Sequence, residues 1–322
     1  MTGIKSKKER RILNYLYKDN TNLEIIDNDK PDFKLKHKDE KSYFGVEVTE
    51  FYFTESSARL QNIPDYIGDL LDEKKYRHKD DKKELEIKKV SIISKNGQKK
   101  GEPEAIIYKI PGLSYYQKKI TQIIRNKNQK YGDYDKTLTH INLIIYDEEK
   151  FLFSIKLKNF YKMFFSEDLI KSIIASEFRE IYFITTIEKD KRLYFPLKMI
   201  LFLSRIYIFS YYFTNFYPRH SELSEDESLD FFIEYLDYKG FSGLKTQRYK
   251  QKLEILYGNV GFYLEEGNKI TLKNYQDYEL PSEAKTINIK KYNYINEHFK
   301  REIKKVHSHL AFETEVGFKI KE

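Results

Sequence analysis

Residues 28–53 read NDKPDFKLKHKDEKSYFGVEVTEFYF, and the fold turns on how this stretch is paired. Phe33 and Leu35 alternate with Asp32, Lys34 and Lys36; on the return, Phe44, Val46 and Val48 alternate with Tyr43, Gly45, Glu47 and Thr49. A period of two on both sides of a polar segment predicts a β-hairpin. With the tip between Asp39 and Glu40, Phe33 pairs with Val46 and Leu35 with Phe44 on one face. On the other face Asp32 then stands opposite Glu47, with Cβ atoms about 5 Å apart. Two carboxylates so placed repel each other, and a hard divalent cation such as Mg²⁺ or Mn²⁺ between them would remove that cost. A slip of one residue would send the acids to opposite faces; the apolar pairs argue for the register given.

An Asp after a Pro, a spacer of this length, and then Glu-x-(Lys or a substitute) in an apolar strand resembles the core of the PD-(D/E)XK nuclease superfamily. Pro31-Asp32 matches the first half and Glu47-Val48-Thr49 the second; Thr49 stands where that superfamily usually has Lys. The resemblance covers roughly the first 200 residues, on the usual size of that fold. It implies a restriction endonuclease-like α/β fold, a mixed sheet flanked by helices, and Mg²⁺ (or Mn²⁺) held by Asp32, Glu47 and the Val48 carbonyl. Glu9, on a helix ahead of the hairpin, is the candidate for a further metal acid, with Glu24 a weaker one; a solvated helix residue is the plain alternative for Glu9. The Lys missing at position 49 implies either a displaced Lys or a weakened site. The activity implied is metal-dependent hydrolysis of phosphodiester bonds in DNA, in a setting such as microbial restriction or phage defence. Loss of cleavage, leaving a DNA-binding or scaffold protein, is the alternative that Thr49 favours, and a homodimer is compatible with the resemblance.

The chain has 322 residues, 40% hydrophobic and 16% aromatic, enough for a substantial core. Its net charge of +8 fits a polyanionic partner, or simply a lysine-rich solvated surface. The absence of cysteine excludes disulfides, a thiolate nucleophile and a Cys-based zinc site. Neither a glycine-rich phosphate loop nor a GxSxG elbow is present. The N-terminal MTGIKSKKERR has no apolar signal-like core, and Leu193–Tyr217 is interrupted by Pro196, Lys198 and Arg205. The expectations are therefore a cytoplasmic protein with no membrane partner and a buried helix at 193–216.

Helical spacing predicts helices over 5–18, 56–71, 114–131 and 167–178, and near 293–309. Nearly continuous apolar runs predict buried strands at 140–146 and 180–186. Residues 91–110 read as a second hairpin turning at Asn96-Gly97. The charge-dense run 72–89, with Lys74, Lys75, Arg77, Lys79, Lys82 and Lys83, is an exposed helix or loop that either tracks phosphates or is simply solvated. On the 114–131 helix, Lys119, with Lys118 in reserve, is the candidate to replace the Lys missing at Thr49. Lys118, Arg125, Lys127 and Lys130 of the same helix are candidate contacts to a nucleic-acid backbone.

Residues 217–227 mark a boundary between a nuclease-like part, 1–216, and a C-terminal part, 217–322. Beyond it, 228–238 and 246–257 read as helices, and 260–264 with 269–272 as a hairpin around Glu265-Glu266-Gly267-Asn268. That order suits a winged-helix module, a dimerisation unit or a cap on the core. Lys245, Gln247, Arg248, Lys250 and Lys252 would meet phosphates, with Lys245 and Arg248 the lead candidates. His298, His307 and His309 do not share one face of the last helix, so no His metal site is expected there.

Overall fold

The computed structural model describes residues 2–17, 21–72, 78–108, 112–150, 164–187, 191–217, 222–249, 252–265, 269–275, 277–281, 283–287 and 293–310. Helix α1 (Thr2–Tyr17) precedes an antiparallel meander, β1 (Leu23–Asp27), β2 (Phe33–His37) and β3 (Phe44–Phe51). An insertion follows: α2 (Glu55–Asn62), α3 (Tyr66–Asp72), α4 (Asp81–Glu84), β4 (Leu85–Lys89), β5 (Ile92–Ile93), β6 (Lys99–Gly101) and β7 (Glu104–Tyr108). Then come α5 (Leu113–Gln129), β8 (Ile141–Asp147), α6 (Glu167–Ile174), β9 (Ile181–Ile187), β10 (Lys191–Pro196) and α7 (Leu197–Phe216). The chain ends with α8 (Glu225–Tyr238), β11 (Lys245–Tyr249), β12 (Lys252–Tyr257), β13 (Val260–Glu265), β14 (Lys269–Asn274), β15 (Lys285–Thr286) and α9 (Glu297–Leu310).

The main sheet runs β1-β2-β3-β8-β9-β10. It is mixed: β3 is parallel to β8 and β8 to β9, while the outer pairings are antiparallel. β8 and β9 are buried along their whole length, as expected of parallel strands covered on both faces. One face packs on α1 through Ile12, Leu13 and Tyr17 against Phe33, Leu35, Phe44, Val46 and Val48. The other packs on α5 and α6 through Tyr116, Ile120, Ile124, Leu169 and Ile173 against Phe51, Leu143, Ile145 and Phe183. A mixed sheet between helices was the architecture expected from the sequence.

The hairpin has the register predicted from its apolar pattern: Phe33 pairs with Val46 and Leu35 with Phe44. The second hairpin also turns at Asn96-Gly97, with Gly97 at φ +82°, and continues outward into a β4–β7 ladder. Of the run 72–89, expected as an exposed helix or loop, residues 81–84 are the short α4 and 85–89 the strand β4, paired with β7, and Lys79, Lys82 and Lys83 are exposed; Lys74, Lys75 and Arg77 lie outside the described residues. The expected helix 56–71 is two helices. Pro64 supplies no N–H, Asp65 adopts φ +59°, and Tyr66 and Leu70 are buried in place of Ile63 and Ile67.

The C-terminal part corrects the expectation more deeply. Residues 245–257 form β11 and β12, not a helix, and lie in a five-stranded antiparallel sheet of order β14-β13-β12-β11-β15. Buried Gln247 explains the choice, because its side-chain amide donates to Glu254 (2.5 Å) and Tyr275 (2.8 Å) across the ladder. Leu253, Ile255 and Tyr257 supply the period of two. The expected hairpin at 260–272 is β13–β14; Glu266, Gly267, Asn268 and Lys250 lie outside the described residues, as do the side chains of His307 and His309. Helix α7 begins at Leu197, and among the described residues no helix is long and apolar enough to cross a membrane.

The C-terminal part is fastened to the main sheet by a buried polar knot. Asp277 accepts from Tyr17 Oη (3.0 Å), Asn142 Nδ2 (2.8 Å) and Asn259 Nδ2 (2.7 Å), joining α1 and β8 to the turn between β12 and β13. A single apolar cluster also runs from Phe51 through α7 to Phe299 of α9.

Gly45 controls how closely the Pro31 turn approaches β3. A Cβ there would lie 2.5 Å from Pro31 Cγ, 2.9 Å from Leu138 Cδ1 and 3.2 Å from Ile141 Cγ1. Gly45→Ala should therefore cost about 1–3 kcal/mol in urea unfolding; an unchanged midpoint would mean that the turn does not need this contact.

Candidate active site

Ladder pairing between β2 and β3 stops at Phe33↔Val46, so the edge of β3 from Glu47 onward is released from β2. The turn before β2 fills part of the gap. It is closed by the Asn28 N–H on the Asp32 carbonyl (2.8 Å) and by Asn28 Nδ2 on the Pro31 carbonyl (2.8 Å). The Asp32 carboxylate thereby reaches the freed Val48 N–H, which donates to Oδ2 at 2.7 Å. Glu47 lies on the α5 face of β3, between Gly45 and Thr49 in the alternation.

The two acids are electrostatically joined. The Asp32 carboxyl is pushed up to about 7 by burial first and then by the charge of Glu47; Glu9 adds to the rise, while the Val48 N–H and Lys127 oppose it. Lys127 of α5 places Nζ 2.5 Å from Glu47 Oε1. Tyr134, buried just beyond α5, hydrogen-bonds Glu47, and its phenol is pushed well up by burial and by the Glu47 charge. A carboxylate pair, an ammonium and a phenol thus converge where β2 begins.

The lysine at the acids is therefore Lys127, not Lys119. Tyr116, Ile120 and Ile124 are the buried stripe of α5, and at about 100° per residue Lys127 continues its centre while Lys119 lies about 100° around the helix. Lys119 is also two turns away, about 12 Å along the axis. Lys118 and Arg125 on α5 and Lys130 just past its end are exposed. Thr49 is half-buried on the Glu47 face, and Glu9, on α1, is buried and acts on Asp32 through its charge. Glu24 lies on edge strand β1, bonded to Tyr43 and Lys36 away from the acids. Arg248 is exposed on β11, and Lys245 lines a cavity near the start of β9. Tyr134 was missed because it follows the helix in a loop, where no periodicity marks it.

Among the described residues no three His, Cys, Asp or Glu side chains form a metal-binding group. The notch offers two carboxylates, hard oxygen ligands of the kind a divalent cation takes, and the Asp32 carboxyl is raised by burial first and then by the Glu47 charge. No family model matches the chain, and no curated protein or solved structure matches it.

A group whose acidity is weakened by folding removes stability as pH rises. Between the ordinary carboxylate value near 3.8 and about 7, the unfolded chain releases the Asp32 proton while the folded chain keeps it. Without divalent ions, this group makes stability fall across that window and level off above it. Asp32→Asn should abolish this part of the slope and be more stable than wild type at pH 8 by about 1–3 kcal/mol, with little difference at pH 4. Equal stability at both pH values, measured by urea unfolding in chelator, would show that folding does not raise the Asp32 carboxyl.

Proposed function

We propose that this protein is a metal-dependent nuclease acting on DNA, with Asp32, Glu47 and Lys127 as its reactive centre. The observation that carries the reading is the meeting of Asp32 and Glu47 at the released edge of β3 with the Lys127 ammonium on Glu47. The order of elements supports it: a helix, an antiparallel meander, a helix across the sheet, and a buried parallel strand, as the PD-(D/E)XK resemblance leads one to expect. Lys127, arriving from α5, takes the part of the lysine that Thr49 lacks.

Mg²⁺ or Mn²⁺, held by Asp32, Glu47 and the Val48 carbonyl, would lower the pKa of a bound water and offset charge growing on the scissile phosphate. The Val48 N–H fixes the Asp32 carboxylate and Tyr134 fixes Glu47, so the acids are oriented before substrate arrives. Lys127, held beside Glu47, would position the attacking water and offset charge growing on the phosphate. The exposed Lys118 and Arg125 on α5 and Lys130 just past its end, with Arg248 on β11, would hold the phosphate backbone, making binding steeply salt-dependent.

A second reading has an observation of its own. The Lys127 ammonium already neutralises Glu47, as an ion would, and this suits a nuclease-like protein that binds DNA without cutting it. Incubation with plasmid DNA, with and without Mg²⁺ or Mn²⁺, separates the two. The nuclease reading expects metal-dependent cleavage, abolished in Asp32→Ala and Glu47→Ala, reduced about 10²–10³-fold in Lys127→Ala, and kept in Lys119→Ala. Binding without cleavage under all conditions would favour the second reading, and no binding at low salt would remove both.

A further inference from the structure

A second cavity lies apart from the acids. It has a volume of about 630 Å³ and opens where β8 and β9 begin, between Tyr131 on one side and Lys245 of β11 and Tyr257 of β12 on the other. Arg179, just before β9, lines it with His140, Lys198, Glu177 and Glu279. The Arg179 guanidinium is poorly provided for. Its Nη1 meets only the His140 ring (3.1 Å), and its Nε and Nη2 are buried with no hydrogen-bond partner. Among the described residues it makes no ion pair. Asp277 and Glu40 act on it only as charges, and the Asp277 carboxylate is already engaged by Tyr17, Asn142 and Asn259. His140 supplies only a neutral ring, kept from protonation by burial and by the Arg179 charge.

A buried guanidinium without an anion is costly, and its planar fork suits phosphate geometry, so a phosphate that drew the Arg179 side chain toward the cavity it lines would relieve that cost. The other cations divide cleanly. Lys198 is committed, with Nζ on the Ser176 carbonyl (2.6 Å) and buried Glu180 as its counter-charge. The Lys245 side chain makes no hydrogen bond or ion pair among the described residues, and the residue lines the same cavity from the C-terminal sheet. The two acids on the wall, Glu177 and Glu279, would repel a bare polyanion. They would accept hydrogen bonds from a ligand carrying hydroxyl or amino donors beyond its phosphate. The volume falls within the range of small-ligand pockets.

We propose that this cavity binds a nucleoside phosphate, with the phosphate on Arg179 and Lys245 and the ribose or base donors toward Glu177 and Glu279. The ligand is either a free mononucleotide or the phosphorylated terminal nucleotide of a strand. The site does not depend on the nuclease reading, because none of its groups belongs to the acid pair.

Calorimetric titration in chelator tests it with inorganic phosphate, the four nucleosides, their 5′-monophosphates, and one oligonucleotide bearing a 5′-phosphate or a 5′-hydroxyl. A monophosphate should bind at least about tenfold more tightly than its nucleoside and than inorganic phosphate. Arg179→Gln and Lys245→Ala should each weaken it about tenfold or more, whereas Asp32→Asn should leave it unchanged. A free-nucleotide site shows no preference between the two oligonucleotides; a strand-end site prefers the phosphorylated one by about tenfold, a preference lost in Lys245→Ala. Lys245 is on the rim, so its variant keeps the test decisive should Arg179→Gln fail to fold. The proposal is overturned if no nucleotide or phosphorylated end binds, if inorganic phosphate binds as tightly as any of them, or if Lys245→Ala leaves binding intact.

Discussion

The burial of the Asp32 carboxyl beside the charge of Glu47 is the constraint around which this part of the molecule is built. Two carboxylates in a partly buried notch are unfavourable by themselves, and burial makes them more so. Several independent elements nevertheless hold them there. The Asn28 bonds close the turn, Gly45 lets that turn lie on β3, the Val48 N–H grips Asp32, and Tyr134 and Lys127 bind Glu47. A fold selected for stability alone would gain by replacing Asp32 with a neutral residue. Strain of this kind, held by surrounding structure, is a recognised mark of a functional site.

The same notch shows how local sequence becomes geometry. Pro31 cannot donate to a ladder, so the antiparallel pairing of β2 with β3 ends close to it. β3 runs on past that point, paired on its other side with β8, which keeps the strand rigid while one edge is open. Helix α5 then crosses the face that carries Glu47, and its apolar stripe brings Lys127 down at the end of the contact. The knot at Asp277 ties the C-terminal sheet to β8 and β9, so the Arg179 cavity is framed by both parts of the chain.

Much of this was legible in the sequence, and the failures have physical causes. The hairpin register was readable because Phe33, Leu35, Phe44 and Val46 alternate cleanly with polar neighbours. The buried strands β8 and β9 were readable from continuous apolar runs. Lys127 is also legible in the sequence, since it lies seven residues after Ile120 on the buried stripe, whereas Lys119 lies about 100° away from it around the helix. Residues 245–257 misled because Leu253, Leu256 and Tyr257 also match a helical spacing, and the Gln247–Glu254 bond that decides for strands is tertiary. The break at Pro64 was written in the sequence and outweighed by an apparent stripe. Tyr134, Asp277 and Arg179 carry no local signal at all: each acquires its role only from residues distant in the chain.

The most direct measurement is a crystal structure of the protein soaked in Mn²⁺, read by anomalous scattering. The account predicts a peak bounded by the Asp32 and Glu47 carboxylates and the Val48 carbonyl, with the Lys127 ammonium withdrawn from Glu47. Lys127 still seated on Glu47, with no anomalous density between the two acids, would contradict it.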